Sequence, residues 1–239
     1  MNNLLVWNKE YRNNKLMMGD KPQKSFLRFI SFVKKDIKKN TGIFSFLNLK
    51  ILDLGSGNGK NSIFLAKKGC DVLGFDFSQD AILLANKLKE ESKKEIKIQG
   101  GKVDFINNAI DSKFNISSDT FDIALDVTSS NSLNQKGREI YLSETYRVLK
   151  KDGYFFARGL LKDGDKNAKY LLKNFHSKEY DTYTIPSFEL SERVFSKNDL
   201  LKFYSSKFKI LKFEKETHYT TYDNKKYKRN FWILYMKKI

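Results

Sequence analysis

The sequence predicts an α/β fold, a doubly wound and mostly parallel seven-stranded sheet that ends in a C-terminal antiparallel hairpin. One observation is the alternation of five short apolar segments with amphipathic segments of helical periodicity. The other is that the last two β-rich segments leave no room for a helix between them, so they should pair antiparallel around a turn at Asp223–Asn224. The predicted strands are 49–55, 70–76, 102–108, 121–126, 154–161, 208–219 and 230–238.

Apolar residues at helical spacing define the helices between these strands. Phe26, Ile30 and Val33 share one face of a helix that should cover the sheet. Ser78 is placed to cap a helix that begins after the second strand. Further helices are predicted over 60–69, with Gly69 as the C-terminal cap, and around 199–204. Another helix carries Leu142, Tyr146 and Leu149 toward the core and stops near Gly153.

The composition is that of a globular protein. The chain has 239 residues, of which 40% are hydrophobic, and the two prolines mark no linker. We therefore expect one domain. The single cysteine, Cys70, excludes an internal disulfide and a multi-cysteine zinc site, and its position predicts a buried thiol. With no apparent signal peptide or spanning segment, we expect a cytoplasmic protein without a membrane association.

The net charge of +17 suggests a nucleic-acid partner. Only seven of the 45 basic residues are arginine, however, and the lysines are scattered along every segment. Arginine is the residue favoured for phosphate and guanine recognition. We therefore keep nucleic acid as an alternative partner and do not favour it.

Three glycines directly follow the first predicted strand. Gly55, Gly57 and Gly59 stand in the stretch LDLGSGNGK, and the helix begins just after them. In doubly wound sheets, ligands bind at the carboxyl ends of the strands, where glycine lets the backbone approach the ligand closely. A plain turn between a strand and a helix would not need three glycines in five residues. The loop is therefore predicted to be a cofactor site.

The loop does not match the other nucleotide-binding patterns. The dinucleotide fingerprint G-x-G-x-x-G requires glycine at the position of Lys60. Asp53 places a carboxylate two residues before the first glycine, where it would repel a pyrophosphate and suit a cationic cofactor. A Walker phosphate loop is excluded because the chain has no G-x-x-x-x-G-K-[ST].

These residues resemble the signature of the class I S-adenosylmethionine-dependent methyltransferases. The stretch 52–59, LDLGSGNG, is similar to the family's D-x-G-x-G-x-G motif, and 72–85, VLGFDFSQDAILLA, is similar to its second motif. Later motifs of the family are matched by 119–126 and 146–156, so the resemblance covers about 45–160. It implies a Rossmann-like fold, S-adenosylmethionine as cofactor, and methyl transfer.

The resemblance assigns roles to particular side chains. Asp76 would bind both ribose hydroxyls and Phe77 would pack on the adenine, while an acid after the third strand, here Asp111, would hold the adenine amino group. Ala109 and Ile110 would line the adenine pocket. The full set of expected cofactor-binding residues is Asp53, Gly55, Ser56, Gly57, Gly59, Asn61, Asp76, Phe77, Ser78, Ala109, Ile110, Asp111 and Asp126.

The sequence lacks the motifs of several classes of methyltransferase, and this narrows the possible methyl acceptors. The segment after the fourth strand, DVTSSNS, lacks the [DNS]-P-P-[YFW] of amino-methylating nucleic-acid enzymes. Cys70 lies in the wrong strand to be the nucleophile of a C5-pyrimidine methyltransferase. What remains is transfer to a heteroatom of a small molecule, with an RNA-modifying or RNA-binding role as the alternative. No metal is predicted, the catalytic residue is unknown, and His176 and His218 are the histidines that could serve as a base.

The stretch 55–69, GSGNGKNSIFLAKKG, is similar to the tellurite-resistance and thiopurine group of that class, and the C-terminal hairpin also fits this group. In such small-molecule enzymes an N-terminal aromatic segment folds over the cofactor, and here Trp7 and Tyr11 share one helical face. Packing of both rings on the core is an equal alternative. We predict that Trp7, Tyr11, Thr128 and Ser129 contact the acceptor, together with an aromatic-rich insertion.

The single methyltransferase domain expected over 1–239 divides into four parts. They are an N-terminal lid and helix at 1–44, a cofactor-binding core at 45–160, a substrate-loop insertion at 161–195, and a C-terminal helix and hairpin at 196–239. Nothing in the sequence indicates the oligomeric state.

Overall fold

The structure is a computed structural model that describes residues 3–13, 19, 21–185, 189–222 and 225–239. Its helices are α1 (Asn3–Asn13), α2 (Lys24–Thr41), α3 (Lys60–Ala66), α4 (Gln79–Ile98), α5 (Gln135–Val148), α6 (Lys166–Asn174) and α7 (Lys197–Ser205). Its strands are β1 (Lys50–Leu54), β2 (Asp71–Asp76), β3 (Lys102–Asn107), β4 (Phe121–Val127), β5 (Leu149–Leu160), β6 (Thr182–Ile185), β7 (Leu190–Arg193), β8 (Phe208–Tyr222) and β9 (Lys225–Lys238). The predicted turn at Asp223–Asn224 lies outside the described residues.

Seven strands form one sheet in the order β3-β2-β1-β4-β5-β9-β8. Strands β1 to β5 pair parallel, whereas β9 pairs antiparallel with β5 and β8 pairs antiparallel with β9. The predicted doubly wound sheet and its C-terminal hairpin are therefore confirmed. Because β1 lies between β2 and β4, the chain order reverses there and a crevice opens at the carboxyl ends of these strands.

Apolar side chains cover both faces of the sheet. On one face α2, α3 and α4 pack through residues such as Phe29, Ile63 and Ile96, which are buried. On the other face α5 and α7 pack through Tyr141 and Tyr204, which are also buried. Both layers hold the sheet rigidly, so the loops at its carboxyl edge start from fixed positions.

Several boundaries differ from the prediction. Helix α3 ends at Ala66, and Gly69 lies in the turn that follows, with a left-handed φ of 97°. Helix α5 ends at Val148 and not near Gly153, because the chain passes directly into β5, whose edge pairing with β4 already includes Leu149. As predicted, Ser78 caps α4 by accepting a hydrogen bond from the Ala81 amide at 3.2 Å, and Cys70 is a buried free thiol.

The prediction missed the two-stranded sheet formed by β6 and β7. These strands pair antiparallel from Thr182↔Arg193 to Ile185↔Leu190. They lie within the aromatic-rich insertion, for which the sequence predicts a substrate loop and no strands. The hairpin stands beside the short 3-10 helix Ser130–Ser132 at the carboxyl edge of the main sheet.

Candidate functional site

A cavity of about 460 Å³ opens at the carboxyl ends of β1, β2 and β4. Two groups of residues line it, and each group comes from neighbouring elements. The glycine-loop half comprises Gly55, Ser56, Gly57, Asn58, Lys60, Asn61, Asp76, Phe77, Ala109, Ile110 and Asp111. The hairpin half comprises Asn3, Ser132, Leu133, Asn134, Ser177, Glu179, Thr182 and Ser191.

The glycine loop leaves no space for side chains at two of its positions. Gly55 has φ of 72°, and a Cβ there would lie 2.0 Å from the Ser129 hydroxyl oxygen. Gly57 has φ of 55°, and its Cβ would lie 2.6 Å from the Tyr11 hydroxyl oxygen. Only glycine combines this left-handed backbone with such close neighbours.

Asp76 lies at the end of β2 and is almost fully buried. Its carboxylate accepts hydrogen bonds of 2.9 Å from the amides of Gly57 and Ser78, and it lines the cavity. Burial raises the pKa of Asp76 to about 6, and the two amides oppose that rise. The side chain thus ties the glycine loop to β2 and presents an acceptor to the cavity.

Asp53 lies behind the glycine loop and does not line the cavity. Its carboxylate accepts a hydrogen bond of 2.6 Å from the Ser62 hydroxyl of α3. Burial raises the pKa of Asp53 to about 6, and the negative charge of Asp76 adds to the rise. The residue connects β1 to α3, so its effect on a ligand would be through charge and loop shape.

Two buried polar atoms in the glycine-loop half have no partner among the described residues. They are the Ser56 hydroxyl oxygen and the Asn61 Oδ1, and both residues line the cavity. A buried polar atom without a hydrogen bond is costly, and native proteins satisfy nearly all of them. These two atoms fit a cofactor that brings its own polar groups to the loop.

Phe77, Ala109, Ile110 and Asp111 form the side of the cavity beyond β2 and β3. Ile110 is buried, and Phe77 is half-buried with its ring at the wall. Asp111 approaches α5, since a Cβ at Gly137 would lie 2.9 Å from its Oδ2. An apolar slot with one carboxylate at its edge suits a purine ring with an exocyclic amino group.

Asp126 organises the loop after β4 and does not line the cavity. The fully buried carboxylate accepts hydrogen bonds from the Ser129 amide at 2.8 Å and the Tyr141 hydroxyl at 2.7 Å. In this loop Thr128 takes a φ of 65°, which is rare for a β-branched residue. Thr128 and Ser129 line the cavity, so Asp126 fixes the strained wall that they form.

Helix α1 lies across both halves of the cavity. On the glycine-loop side, the Ser78 hydroxyl donates to Asn8 Oδ1 at 2.7 Å and Arg12 pairs with Asp80 at 3.0 Å. On the hairpin side, Asn3 Nδ2 donates to the Ser132 carbonyl at 2.9 Å. Trp7 and Tyr11 both line the cavity, with ring centroids 6.1 Å apart.

The Tyr11 hydroxyl reaches the glycine loop. Burial raises the pKa of Tyr11 well above its ordinary value, and the nearby carboxylates of Asp76 and Asp53 raise it further. The hydroxyl therefore stays protonated and can donate a hydrogen bond. This position is closer to the predicted cofactor residues than to the hairpin.

The hairpin half contains residues that the sequence analysis did not single out. Glu179 accepts hydrogen bonds from the Gln135 amide at 3.0 Å and from Arg138 Nη2 at 3.0 Å. Ser177, Thr182 and Ser191 also line this half of the cavity. No local motif marks these residues, because they meet only when the insertion folds into β6 and β7.

The remaining predicted positions lie outside the cavity wall. Gly59 precedes α3, and Ser78 caps α4. His176 forms a β-bridge with Tyr183, and His218 pairs with Glu216 at 2.9 Å on β8; neither histidine lines the cavity.

Within the described part of the chain no three His, Cys, Asp or Glu side chains are grouped as metal ligands would be. No helix in the same part combines the length and apolar character that crossing a bilayer requires.

Known proteins share this arrangement. Residues 51–153 match the protein family described as "Methyltransferase domain". The chain is 34% identical over 116 residues to the human protein named EEF1A lysine methyltransferase 2. The matched segment covers 46% of this chain and 46% of the human protein. It therefore spans about half the length of the curated relatives of that name. Over 47 residues, 20% of this chain and 16% of the relative, it is 40% identical to the probable S-adenosyl-L-methionine-dependent methyltransferase TehB of Haemophilus influenzae.

A solved structure extends the similarity to most of the chain. A SAM-dependent methyltransferase from Methanosarcina mazei superposes with a TM-score of 0.70 and 25% identity, covering 80% of this chain and 93% of the other. The TM-score of 0.70 shows that the two chains share one fold over the superposed residues. The chain therefore contains a class I S-adenosylmethionine-dependent methyltransferase domain, and S-adenosylmethionine is its cofactor.

Proposed function

We propose that this protein transfers the methyl group of S-adenosylmethionine to a heteroatom of a small-molecule acceptor. The observation behind this proposal is one cavity in which the glycine-loop half and the hairpin half share a space covered by α1. An acceptor held in the hairpin half would face the cofactor in the glycine-loop half. We also propose that residues 1–239 act as one methyltransferase domain.

The glycine-loop half would bind the cofactor. Asp76 is placed to accept hydrogen bonds from the ribose hydroxyls, and Phe77, Ala109, Ile110 and Asp111 would enclose the adenine. Ser56 and Asn61 have the unpartnered atoms that would meet the amino-acid end. Asp53, Gly55, Gly57, Gly59, Ser78 and Asp126 would shape the loops around the ligand.

The protein's part in the reaction would be placement and exclusion of water. When bound, the cofactor supplies a methyl group on a positively charged sulfur, which is reactive toward nucleophiles. Alignment within a dry site can provide a large share of the rate acceleration. Thr128, Ser129, Trp7 and Tyr11 line the cavity where the two halves meet, so they would position the acceptor and keep water out.

The charge of the cavity bears on the alternative of an RNA substrate. Although the protein has a net charge of +17, the cavity wall includes Asp76, Asp111 and Glu179 and one basic side chain, Lys60, among the described residues. An anionic backbone entering this space would meet carboxylates. RNA methylation would predict binding that weakens steeply with salt, which is a direct way to distinguish it.

Protein lysine methylation is a second candidate. Its support is the similarity to the proteins named EEF1A lysine methyltransferase 2, from human and zebrafish. The two candidates separate when radiolabelled S-adenosylmethionine is incubated with the protein and either the low-molecular-weight or the protein fraction of a cell extract. Label in small molecules supports our proposal, and label confined to proteins replaces it with the second.

Calorimetric titration with S-adenosylmethionine and S-adenosylhomocysteine tests the cofactor assignment, with NAD as the control ligand. We expect micromolar binding of the first two. Asp76→Ala should weaken it by about 100-fold, because hydrogen bonds to a charged group contribute about 1.5–3 kcal/mol each. Asp104→Ala, which removes an exposed carboxylate from β3, is the matched control and should leave binding unchanged. Binding of NAD alone, or unchanged affinity in Asp76→Ala, would contradict the assignment.

A further inference from the structure

The hairpin half of the cavity presents hydrogen-bond acceptors to its occupant. Glu179 lies in the loop before β6, and its side chain is 33% exposed. No lysine or arginine lines this half among the described residues, since Lys60 belongs to the glycine loop. The chemistry of this half is therefore distinct from that of a phosphate or carboxylate site, which uses basic side chains.

The Glu179 carboxylate is held in place but not saturated. The backbone N–H of Gln135 donates to both carboxylate oxygens, at 3.0 and 3.1 Å, and Arg138 Nη2 donates to one of them at 3.0 Å. The Arg138 side chain is only 3% exposed, so it cannot swing away. An ionised carboxylate has about four acceptor positions. Acceptor capacity therefore remains on this carboxylate, which lines the cavity.

A second acceptor stands at the same wall. Asn3 Nδ2 donates to the Ser132 carbonyl at 2.9 Å. This hydrogen bond determines which atom of the side-chain amide is the nitrogen and which is the oxygen, Oδ1. That Oδ1 is buried and has no hydrogen-bond partner among the described residues. The Glu179 carboxylate would accept further hydrogen bonds from a ligand that brings N–H or O–H groups, and none from an anion.

We infer that the acceptor substrate is an uncharged or cationic small molecule bearing amine or hydroxyl donors, and that Glu179 is the residue that discriminates against anionic molecules. This inference rests on the proposed function and names the substrate class of the same site. Ser177 and Thr182 add hydroxyls beside the carboxylate, which suit a polar ligand. A carboxylate or phosphate in this half would lie against the Glu179 charge, and the one cation paired with Glu179 among the described residues, the buried Arg138, does not line the cavity.

Three probes that share one scaffold test the inference. Tyramine, 4-hydroxyphenylethanol and 4-hydroxyphenylacetate differ only in an amine, hydroxyl or carboxylate group. Their binding to the protein saturated with S-adenosylhomocysteine is measured by ligand-observed NMR titration. We expect the carboxylate to bind at least about 10-fold more weakly than the amine, since like charges in a half-buried site cost one or more kcal/mol.

Variants of Glu179 identify the origin of the discrimination. Glu179→Gln keeps an acceptor for Arg138 and removes the charge, so the amine-to-carboxylate affinity ratio should fall toward one. Glu179→Asp keeps the charge on a shorter side chain, so its amine-to-carboxylate affinity ratio should lie between those of Glu179→Gln and the unmodified protein. Glu139→Gln is the matched control, because this exposed α5 carboxylate contacts Gln135 outside the cavity wall, and its ratio should equal that of the unmodified protein.

The outcomes separate this inference from the proposed function. A carboxylate that binds as tightly as the amine, an amine that does not bind, or a ratio unaffected by Glu179→Gln would overturn the inference. Each of these results requires intact S-adenosylhomocysteine binding, which calorimetry on the same samples establishes. Loss of that binding in the unmodified protein would instead overturn the cofactor assignment. The ratio does not depend on the folded fraction, so partial destabilisation of a variant does not mimic the expected result.

Discussion

The two halves of the cavity are built in different ways. The glycine-loop half is backbone-rich and short-range, because Gly55–Asn61 connects one strand directly to one helix and Asp76 ends the neighbouring strand. The hairpin half is made of side chains from α1, the segment before α5, and the β6–β7 hairpin, which are far apart in the chain. The first is constrained by local geometry and the second by long-range packing. Under the proposed function, a substitution in one half should therefore change either cofactor binding or acceptor choice, and α1 is the element that the two halves share.

The strongest test of this contrast is Gly55→Ala. The added Cβ would lie 2.0 Å from Ser129 Oγ with φ at 72°, so the loop must move. We expect S-adenosylhomocysteine affinity to fall by 100-fold or more in calorimetry, as about 3 kcal/mol of strain and lost contacts would produce. Gly42→Ala is the matched control, since φ is 80° there and no atom lies within 4 Å of the new Cβ. It should lower stability by about 1 kcal/mol and leave the affinity intact. Equal affinities in both variants would contradict a rigid glycine loop.

Acidity should affect the glycine-loop half through Asp53 and Asp76. Burial raises the pKa of each to about 6, so the folded protein binds protons between about pH 4 and 6 that the unfolded chain does not. Their contribution therefore makes the cofactor-free protein less stable as pH rises through this window. The carboxylates titrate together because they interact.

Urea unfolding of the unmodified protein and of Asp76→Asn between pH 4.5 and 7.5 measures this effect. The difference in unfolding free energy between the two should change by about 1–3 kcal/mol across the window, in favour of the variant at high pH. A difference that is constant with pH would contradict the assignment of the shift to Asp76.

The two aromatic residues of α1 should divide between the halves. Tyr11→Phe removes the hydroxyl that contacts the glycine loop, and we expect a three- to tenfold weaker S-adenosylhomocysteine binding, as for one hydrogen bond of about 1 kcal/mol. Trp7→Leu should instead raise the KM for the acceptor with little change in cofactor affinity, measured once an acceptor is identified. Equal effects of both variants on the two ligands would show that α1 acts only as core packing.

The histidines should matter least. His176 and His218 do not line the cavity, so His176→Gln and His218→Gln should each change kcat by less than about twofold. A loss of 100-fold or more, with a flattened pH profile near neutrality, would make the affected histidine a general base.

The sequence predicts the residues of the glycine-loop half better than those of the hairpin half. Gly55, Gly57 and Asp76 were predictable because the residues of the sequence motif are also the residues that shape the loop after β1. Apolar periodicity likewise predicted the seven strands and their antiparallel end. Glu179 and Asn3 could not be found this way, because their proximity depends on β6, β7 and α1 packing together. The sequence also could not show that Asp126, near the end of β4, lies outside the cavity wall, because this depends on the hydrogen bond that its carboxylate accepts from Tyr141.

The position of α1 has a kinetic consequence. One helix, α1, contacts Ser78 and Asp80 at one end and Ser132 at the other, so an outward movement that opened the glycine-loop half would also open the hairpin half, where we propose that the acceptor binds. A methylated product would then leave before S-adenosylhomocysteine or together with it. We therefore expect steady-state kinetics of an ordered type, with S-adenosylmethionine bound first and S-adenosylhomocysteine acting as a competitive inhibitor toward it.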